Sequence, residues 1–108
     1  MRMRDFRFNK KTREMFNAIL KLKDIKEAEN FFRDLCTAEE LRAMSERFAV
    51  ASMLEEGFSY RDVADTLHVS VTTVSRVAFW LKNGKGGYKL ALNRLNHHKS
   101  NSLEKGLR

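Results

Sequence analysis

Hydrophobic residues recur at helical spacing along most of the chain, and polar residues suited to helix capping separate the hydrophobic stretches. Asn9, Asp24 and Thr37 precede the first three stretches, and Asp24 and Thr37 each have a glutamate three residues on, as in a capping box. Gly57 is well placed to end the third stretch. The pattern predicts helices over residues 9–22, 24–35 and 37–56.

These three predicted helices carry wide apolar faces that are rich in phenylalanine. The face residues are Met15, Phe16, Ile19 and Leu20; Ile25, Ala28, Phe31, Phe32 and Leu35; and Leu41, Met44, Phe48, Ala51 and Leu54. Part of this surface forms the core of the chain itself. Thin helices in so short a chain bury wide apolar faces more easily against a second copy, so we expect a homodimer.

Residues 58–83 contain two shorter helix patterns separated by a tight turn. Ser59 caps the first pattern, whose Val63, Ala64 and Leu67 form an apolar stripe. His68 breaks the pattern in the turn, where glycine is usual because the backbone is left-handed. Histidine is among the few side chains tolerated at positive φ, so His68 is compatible with a tight turn at this position. This layout predicts a helix-turn-helix.

The second of these helices has the surface expected of a DNA-recognition helix. Ser70 is its predicted N-cap, and an apolar stripe runs along one side. The stripe comprises Val74, Val77, Ala78 and Leu81, and the other sides carry Thr72, Thr73, Ser75 and Arg76. A small, hydroxyl-rich and basic face can approach base edges in the major groove. An ordinary helical hairpin packed in a core is the alternative interpretation.

The C-terminal part of the chain is predicted to hold one more helix. Residues 83–87 form a glycine-rich break, and a short helix follows from Tyr88 to about Leu95. We expect one domain with dimerisation helices at 8–57, the helix-turn-helix at 58–83, a C-terminal helix at 87–96 and a flexible tail at 97–108. The fold class is therefore all-α, with about six helices.

Charge is segregated along the 108-residue chain, whose formal net charge is +7. Residues 1–13 hold six Lys/Arg and one acid, residues 14–58 hold six and ten, and residues 59–108 hold nine and three. Positive charge at the N-terminus and from the helix-turn-helix onward favours contact with nucleic acid phosphates over a merely solvated surface.

The composition argues against several other classes of protein. No apolar run approaches the length of a membrane span or a secretory signal, so we expect a cytoplasmic protein with no membrane partner. Cys36 is the single cysteine and is expected to be a small buried residue, with no metal or cofactor site. The chain shows no paired carboxylates, no Ser-His-Asp set and no phosphate-binding loop, so an enzyme is not expected.

The segment from Thr37 to Lys82 resembles the tryptophan repressor family, including its uncharacterised Trp-repressor-like members. The resemblance is carried by the acid-capped helix from Thr37, by Arg61, and by the Val71-Thr72-Thr73-Val74-Ser75-Arg76 helix. It implies an intertwined all-helical homodimer that binds double-stranded DNA and regulates transcription, with the role of a repressor at an operator. The implied DNA-binding residues are Arg61, Ser70, Val71, Thr72, Thr73, Ser75, Arg76 and Lys82, while Lys85 and Lys89 are either phosphate contacts or simply solvated.

The resemblance also locates an effector pocket, and there the chain departs from the family's best-known member. The matching positions are Thr37, Arg47, Arg76, Val77 and Trp80. Val77 stands where the tryptophan-binding pocket has glycine, and Trp80 stands where a serine would bind the ligand's amino group. The hypothesis is a vestigial pocket that does not take tryptophan as corepressor, so any small-molecule effector is unknown.

Two other functions remain open from the sequence. A helix-turn-helix can also serve as a protein-interaction module that docks on the transcription machinery, with the basic charge incidental. RNA binding is the second alternative, and it is disfavoured because no aromatic platform for base stacking is visible outside expected core positions.

Overall fold

A computed structural model describes residues 6–106, with side chains described as far as residue 96. This part of the chain forms six α-helices and no strand, which confirms the predicted all-α fold. The helices are α1 (Lys10–Ile19), α2 (Ile25–Leu35), α3 (Ala38–Glu55), α4 (Tyr60–Leu67), α5 (Val71–Asn83) and α6 (Gly87–Gly106). Within the described range, no helix is long and apolar enough to cross a membrane.

Side-chain caps set the starts of the helices where the sequence predicted them. The side chains of Asn9, Asp24, Ser59 and Ser70 each accept a hydrogen bond from the backbone N–H three residues on. Such a bond satisfies one of the N–H groups that a helix start leaves without an intrahelical partner. These starts are therefore fixed by local chemistry.

The chain divides into two compact units, residues 1–41 and 42–108. The first unit contains α1, α2 and the start of α3, and neither α1 nor α2 has a buried residue. Several of its apolar side chains remain open to solvent in the single chain, among them Leu20, which is 79% exposed, and Ile25, which is 78% exposed. Among the aromatic contacts, the ring centroids of Phe8 and Phe16 lie 5.6 Å apart.

The second unit holds the hydrophobic core. Its centre is formed by Val50 from α3, Val63 from α4 and Val74 from α5, each 0% exposed. Ala51, Ala64, Val77 and Leu92 complete the buried cluster. Small Ala64 allows α4 and α5 to approach closely, as the sequence pattern indicated. The core therefore positions the helix-turn-helix against α3 and α6.

The turn between α4 and α5 has the predicted backbone conformation. His68 has φ 56° and ψ 44°, which is the left-handed region. The N–H of Val69 donates to the carbonyl of Ala64 at 3.1 Å and closes the end of α4. The interpretation of His68 as a turn residue is confirmed.

Three details differ from the sequence-based expectation. The helix α1 ends at Ile19 rather than near Leu22. In α3, Met44 of the predicted apolar stripe is 36% exposed, whereas Val50, outside that stripe, is fully buried. Cys36 is only partly buried because it caps the C-terminus of α2 in an extended conformation rather than lying inside a helix.

The helix α6 is also longer than predicted. It runs to Gly106, although the sequence suggested an end near Leu95 and a fraying tail. Neither proline nor glycine interrupts residues 88–105, so nothing in the local sequence stops the helix before Gly106. The predicted flexibility of residues 97–108 stays a prediction, and residues 107–108 lie outside the described part.

Candidate nucleic-acid interface

The helix α5 is held by its cap and by its buried side. The Oγ of Ser70 accepts a 3.0 Å hydrogen bond from the N–H of Thr73, and the hydroxyl oxygens of the two residues also lie 3.0 Å apart. Val74 and Val77, 0% and 2% exposed, fix the inner face. The rotation of α5 about its axis is thereby set, so the side chains opposite Val74 and Val77 face outward.

The outward face of α5 contains most of the residues predicted to contact DNA. Val71, Thr72, Ser75 and Arg76 are all exposed. Thr73 is half-buried, and its backbone and hydroxyl both engage Ser70. No acidic residue lies in the first turn, so the partial positive charge of the helix start is not neutralised by α5 itself. This face can therefore accept a phosphate or approach base edges.

Arg61 and Lys82 occupy different parts of the helix-turn-helix. Arg61 is exposed in the first turn of α4, whereas Lys82 is exposed in the last turn of α5. At 1.5 Å rise per residue, Lys82 stands about 17 Å along the helix from Val71. Lys82 is thus separate from the first two turns of α5, where the exposed small side chains are gathered.

A cavity of about 320 Å³ lies beside α5 and brings together four of the five predicted effector-pocket residues. Arg47 from α3 lines it with Arg76, Val77 and Trp80 from α5. Thr37 belongs to the N-terminal unit, where it forms the start of α3 with Glu40. The cavity walls thus combine two guanidinium groups with an indole ring.

The same cavity has walls that the sequence pattern did not predict. Ala43 and Glu46 line it from α3, Thr73 lines it from α5, and Tyr88 lines it from α6. Spacing along α3 could have identified Ala43 and Glu46, because they stand at i and i+3 relative to Arg47 at i+4 and so share one face of that helix. No sequence pattern could have identified Tyr88 as a cavity wall, because its position depends on how α6 packs. Glu46 adds a carboxylate to a cavity that otherwise carries positive charge.

Trp80 separates this cavity from a second one. It is 40% exposed and lines both, so it is not a buried core aromatic. Its ring meets that of Phe79 edge to face, with centroids 5.5 Å apart. The second cavity, about 500 Å³, is bounded by Phe48 and by the α5–α6 loop that contains Gly84.

Positive and negative formal charges nearly cancel within the helix-turn-helix. Between Tyr60 and Asn83 the chain has three Lys/Arg and two acids. In the part of the chain that the structure describes, no group of three or more His, Cys, Asp or Glu residues could hold a metal ion. The chemistry available here is hydrogen bonding and charge contact by Arg61, the exposed face of α5 and Lys82.

Comparison with known proteins places these features in a family. The Trp repressor protein family model matches residues 10–96. The chain is 39% identical over 92 residues to the uncharacterised protein YerC of Bacillus subtilis, covering 85% of this chain and 88% of that protein. The crystal structure of a TrpR-like protein from Eubacterium eligens matches with a TM-score of 0.78 and 42% identity, covering 82% of this chain and 91% of that one. A proposed Trp repressor from Staphylococcus aureus matches with a TM-score of 0.79 and 36% identity, covering 82% and 89%.

Proposed function

Because the chain belongs to the Trp repressor family, we propose that it is a sequence-specific DNA-binding regulator of transcription, acting as a repressor. The observation that carries the proposal is the outward face of α5. Its small, hydroxyl-bearing and basic side chains are exposed, while Val74 and Val77 anchor the helix from behind. A recognition helix needs an inner side that is held rigidly and an outer side whose side chains can come close to the bases.

Most of the exposed groups have a defined contact in this proposal. The guanidinium of Arg61 bridges O6 and N7 of a guanine, a pairing that its planar fork fits. Val71 and Thr72 offer methyl groups to a thymine methyl, and the Ser75 hydroxyl reaches a base or phosphate. The first N–H groups of α5 and the ammonium of Lys82 bind phosphates, which sets the register of the helix.

The functional unit in this proposal is a homodimer. Leu20 at the end of α1 and Ile25 on α2 leave apolar surface open, and no residue of either helix is buried within one chain. Covering such faces with a second copy removes apolar area from water. Two recognition helices about one DNA turn apart, roughly 34 Å, would read a palindromic target. Light scattering of the pure protein measures the mass, and a monomer at micromolar concentration would overturn this part.

The proposed regulator does not use tryptophan as its corepressor. Support comes from Val77 and Trp80, which both line the cavity beside Arg47 and Arg76. A valine in place of glycine narrows the slot for a flat ring, and Trp80 supplies an indole of its own. Titration calorimetry with tryptophan should show no saturable heat, and saturable binding in the micromolar range would contradict the proposal.

Random-sequence selection with the full-length protein tests the central claim. The expected result is an enriched palindromic motif, with binding that weakens steeply as salt rises, because phosphate contacts release counterions. Absence of any enriched motif at low and moderate salt would overturn the specific regulator. Salt-insensitive binding to a component of the transcription machinery would instead support the interaction-module alternative.

A further inference from the structure

The larger cavity, the one of about 500 Å³ bounded by Phe48 and the α5–α6 loop, has walls that suit an aromatic ligand. Its volume lies within the range of small-molecule sites. The walls include the half-buried side chains of Phe48, Leu81 and Tyr88, together with Trp80 and Ala91. All of these residues belong to the second compact unit. Three aromatic rings around one space favour a ligand that has a ring of its own.

The α5–α6 loop gives the larger cavity a positively charged edge. Lys85 and Lys89 line the cavity and are exposed, and none of its described lining residues is acidic. The loop is held against α5, because the N–H of Gly84 donates to the carbonyl of Trp80 at 2.8 Å. A Cβ at residue 84 would lie 2.5 Å from that oxygen, so this close approach requires glycine. The backbone of Lys85 is thereby fixed beside the apolar walls.

Trp80 connects the larger cavity to the recognition helix. Its side chain is a wall of this cavity and also of the smaller one, which Arg76 lines as well. Arg76 and Trp80 stand four residues apart on α5 and so share one side of that helix. Arg76 is exposed and belongs to the face of α5 that is proposed to meet DNA. A ligand that contacts the Trp80 ring therefore acts on the surroundings of a DNA-facing side chain.

We propose that the larger cavity is an effector site for an arylalkyl carboxylate without an amino group, and that its occupation weakens DNA binding. The ring of the ligand packs between Phe48, Trp80 and Tyr88, and the carboxylate pairs with Lys85 and Lys89. An amino group is disfavoured because the two lysines repel its positive charge. A bound carboxylate also neutralises cations next to α5, which reduces the attraction for phosphates. The effect on DNA rests on the proposed function, whereas the ligand site does not.

Trp80 supplies the readout, because it is the single tryptophan of the chain and lines the larger cavity. The full-length protein is titrated with phenylacetate, with neutral phenylacetamide and with zwitterionic phenylalanine while tryptophan fluorescence is recorded. Phenylacetate should give a saturable change. The other two compounds should bind about 2- to 5-fold more weakly or less, since an exposed ion pair contributes a factor of that size. Absence of a saturable response to phenylacetate, or equal affinity for all three compounds, would overturn the inference.

A matched pair of variants on α6 locates the ligand. Ala91→Phe places a ring inside the larger cavity and should abolish the response to phenylacetate. Leu90→Phe introduces the same ring at the neighbouring residue, which does not line the cavity, and should leave the response unchanged. Both positions are exposed. Light scattering and circular dichroism verify that the variants keep the wild-type mass and helicity. Phenylacetate binding that is equal in the two variants would place the ligand elsewhere and overturn the site.

A charge variant tests the lysines without changing the apolar walls. It combines Lys85→Gln with Lys89→Gln; both are replaced because Lys89 also borders a concave surface that includes Glu55 and Glu56. Its affinity for phenylacetate should fall to that of phenylacetamide, while its affinity for phenylacetamide should not change. An undiminished preference for phenylacetate would overturn the assigned carboxylate contact, and this result does not depend on how the Ala91→Phe variant folds.

Fluorescence anisotropy with the selected duplex tests the effect on DNA binding. Saturating phenylacetate should lower the affinity for this duplex by about 5-fold or more, the usual size of coupling between two ligands of one protein. Phenylalanine at the same concentration should have a smaller effect. Unchanged DNA affinity at saturating phenylacetate would overturn the effector role while leaving the proposed function intact. Wild-type protein that binds phenylacetate but no duplex at low salt would overturn the proposed function and leave the ligand site standing.

Discussion

Thr37 and Glu40 close the start of α3 reciprocally. The N–H of Thr37 donates to Oε1 of Glu40 at 2.8 Å, and the N–H of Glu40 donates to Oγ1 of Thr37 at 3.1 Å. This is a capping box, in which two N–H groups without helical partners are satisfied by the same pair of residues. Thr37, predicted from the family resemblance to belong to the effector pocket, thus has a structural role of its own. Its contact with an effector stays a prediction.

The capping box predicts an acid-dependent contribution to stability. Hydrogen bonds from the backbone of Thr37, and next from its side chain, lower the pKa of the Glu40 carboxyl below its ordinary value of 4.5. A lowered folded-state pKa means that the contribution is present above the unfolded-state pKa and is lost as pH falls through the folded one. Urea unfolding should therefore show wild type more stable than Glu40→Gln at pH 7, with the difference shrinking as pH falls below 4.5 and through the lower folded-state pKa.

Glu39→Gln is the matched control for this measurement, because it removes an equal charge one residue away in the same helical turn. Its difference from wild type should depend less on pH, since the capping bonds to Thr37 are made by Glu40. Identical pH profiles for the two variants would contradict the assigned role of the Thr37–Glu40 pair.

Two valines of α5 allow a test of what holds the recognition helix in place. Val74 is 0% exposed and Val71 is 53% exposed. Val74→Ala should lower the free energy of unfolding by about 2 to 3 kcal/mol, combining the transfer energy of the removed methyl groups with a residual cavity. Val71→Ala, the same chemical change on the solvent side, should stay within about 0.5 kcal/mol. Chemical unfolding measures both, and equal destabilisation would show that the two positions are not packed as described.

The features predicted best from the sequence are those determined by local chemistry. The caps at Asn9 and Ser70 depend on one side chain and the three residues after it, so the pattern is sufficient to find them. Val50 was missed because α3 buries more than a single stripe in its C-terminal half, which depends on how α4, α5 and α6 surround it. Tyr88 joins the cavity for the same non-local reason. Spacing within one helix cannot reveal where a later helix packs.

The left-handed residue at the turn of the helix-turn-helix gives a third prediction. His68 has φ 56°, a conformation that costs a residue with a Cβ about 1 to 2 kcal/mol. His68→Gly relieves this cost but adds chain entropy to the unfolded state, so a net gain of about 0.5 kcal/mol in stability is expected. His68→Val, which removes the same imidazole, should destabilise by about 1 to 2 kcal/mol because a branched Cβ fits positive φ poorly.

Urea unfolding of this pair of variants separates the backbone from the side chain. Both substitutions remove the imidazole, so the difference between them reports backbone preferences in the folded and unfolded states rather than the loss of that ring. A valine variant as stable as the glycine variant would show that residue 68 does not hold positive φ in solution.

The last prediction separates base reading from phosphate contact within the proposed interface. Arg61 is exposed in the first turn of α4, and Lys89 is exposed on α6. A guanidinium that bridges O6 and N7 of guanine contributes about 1 to 3 kcal/mol of discrimination, whereas an ammonium beside a phosphate does not distinguish bases. Arg61→Ala should therefore relax preference at one base step of the selected motif, and Lys89→Ala should weaken binding evenly across sequences. Competition binding on the motif and its single-base variants measures both effects, and an even reduction for Arg61→Ala would assign that side chain to the DNA backbone instead.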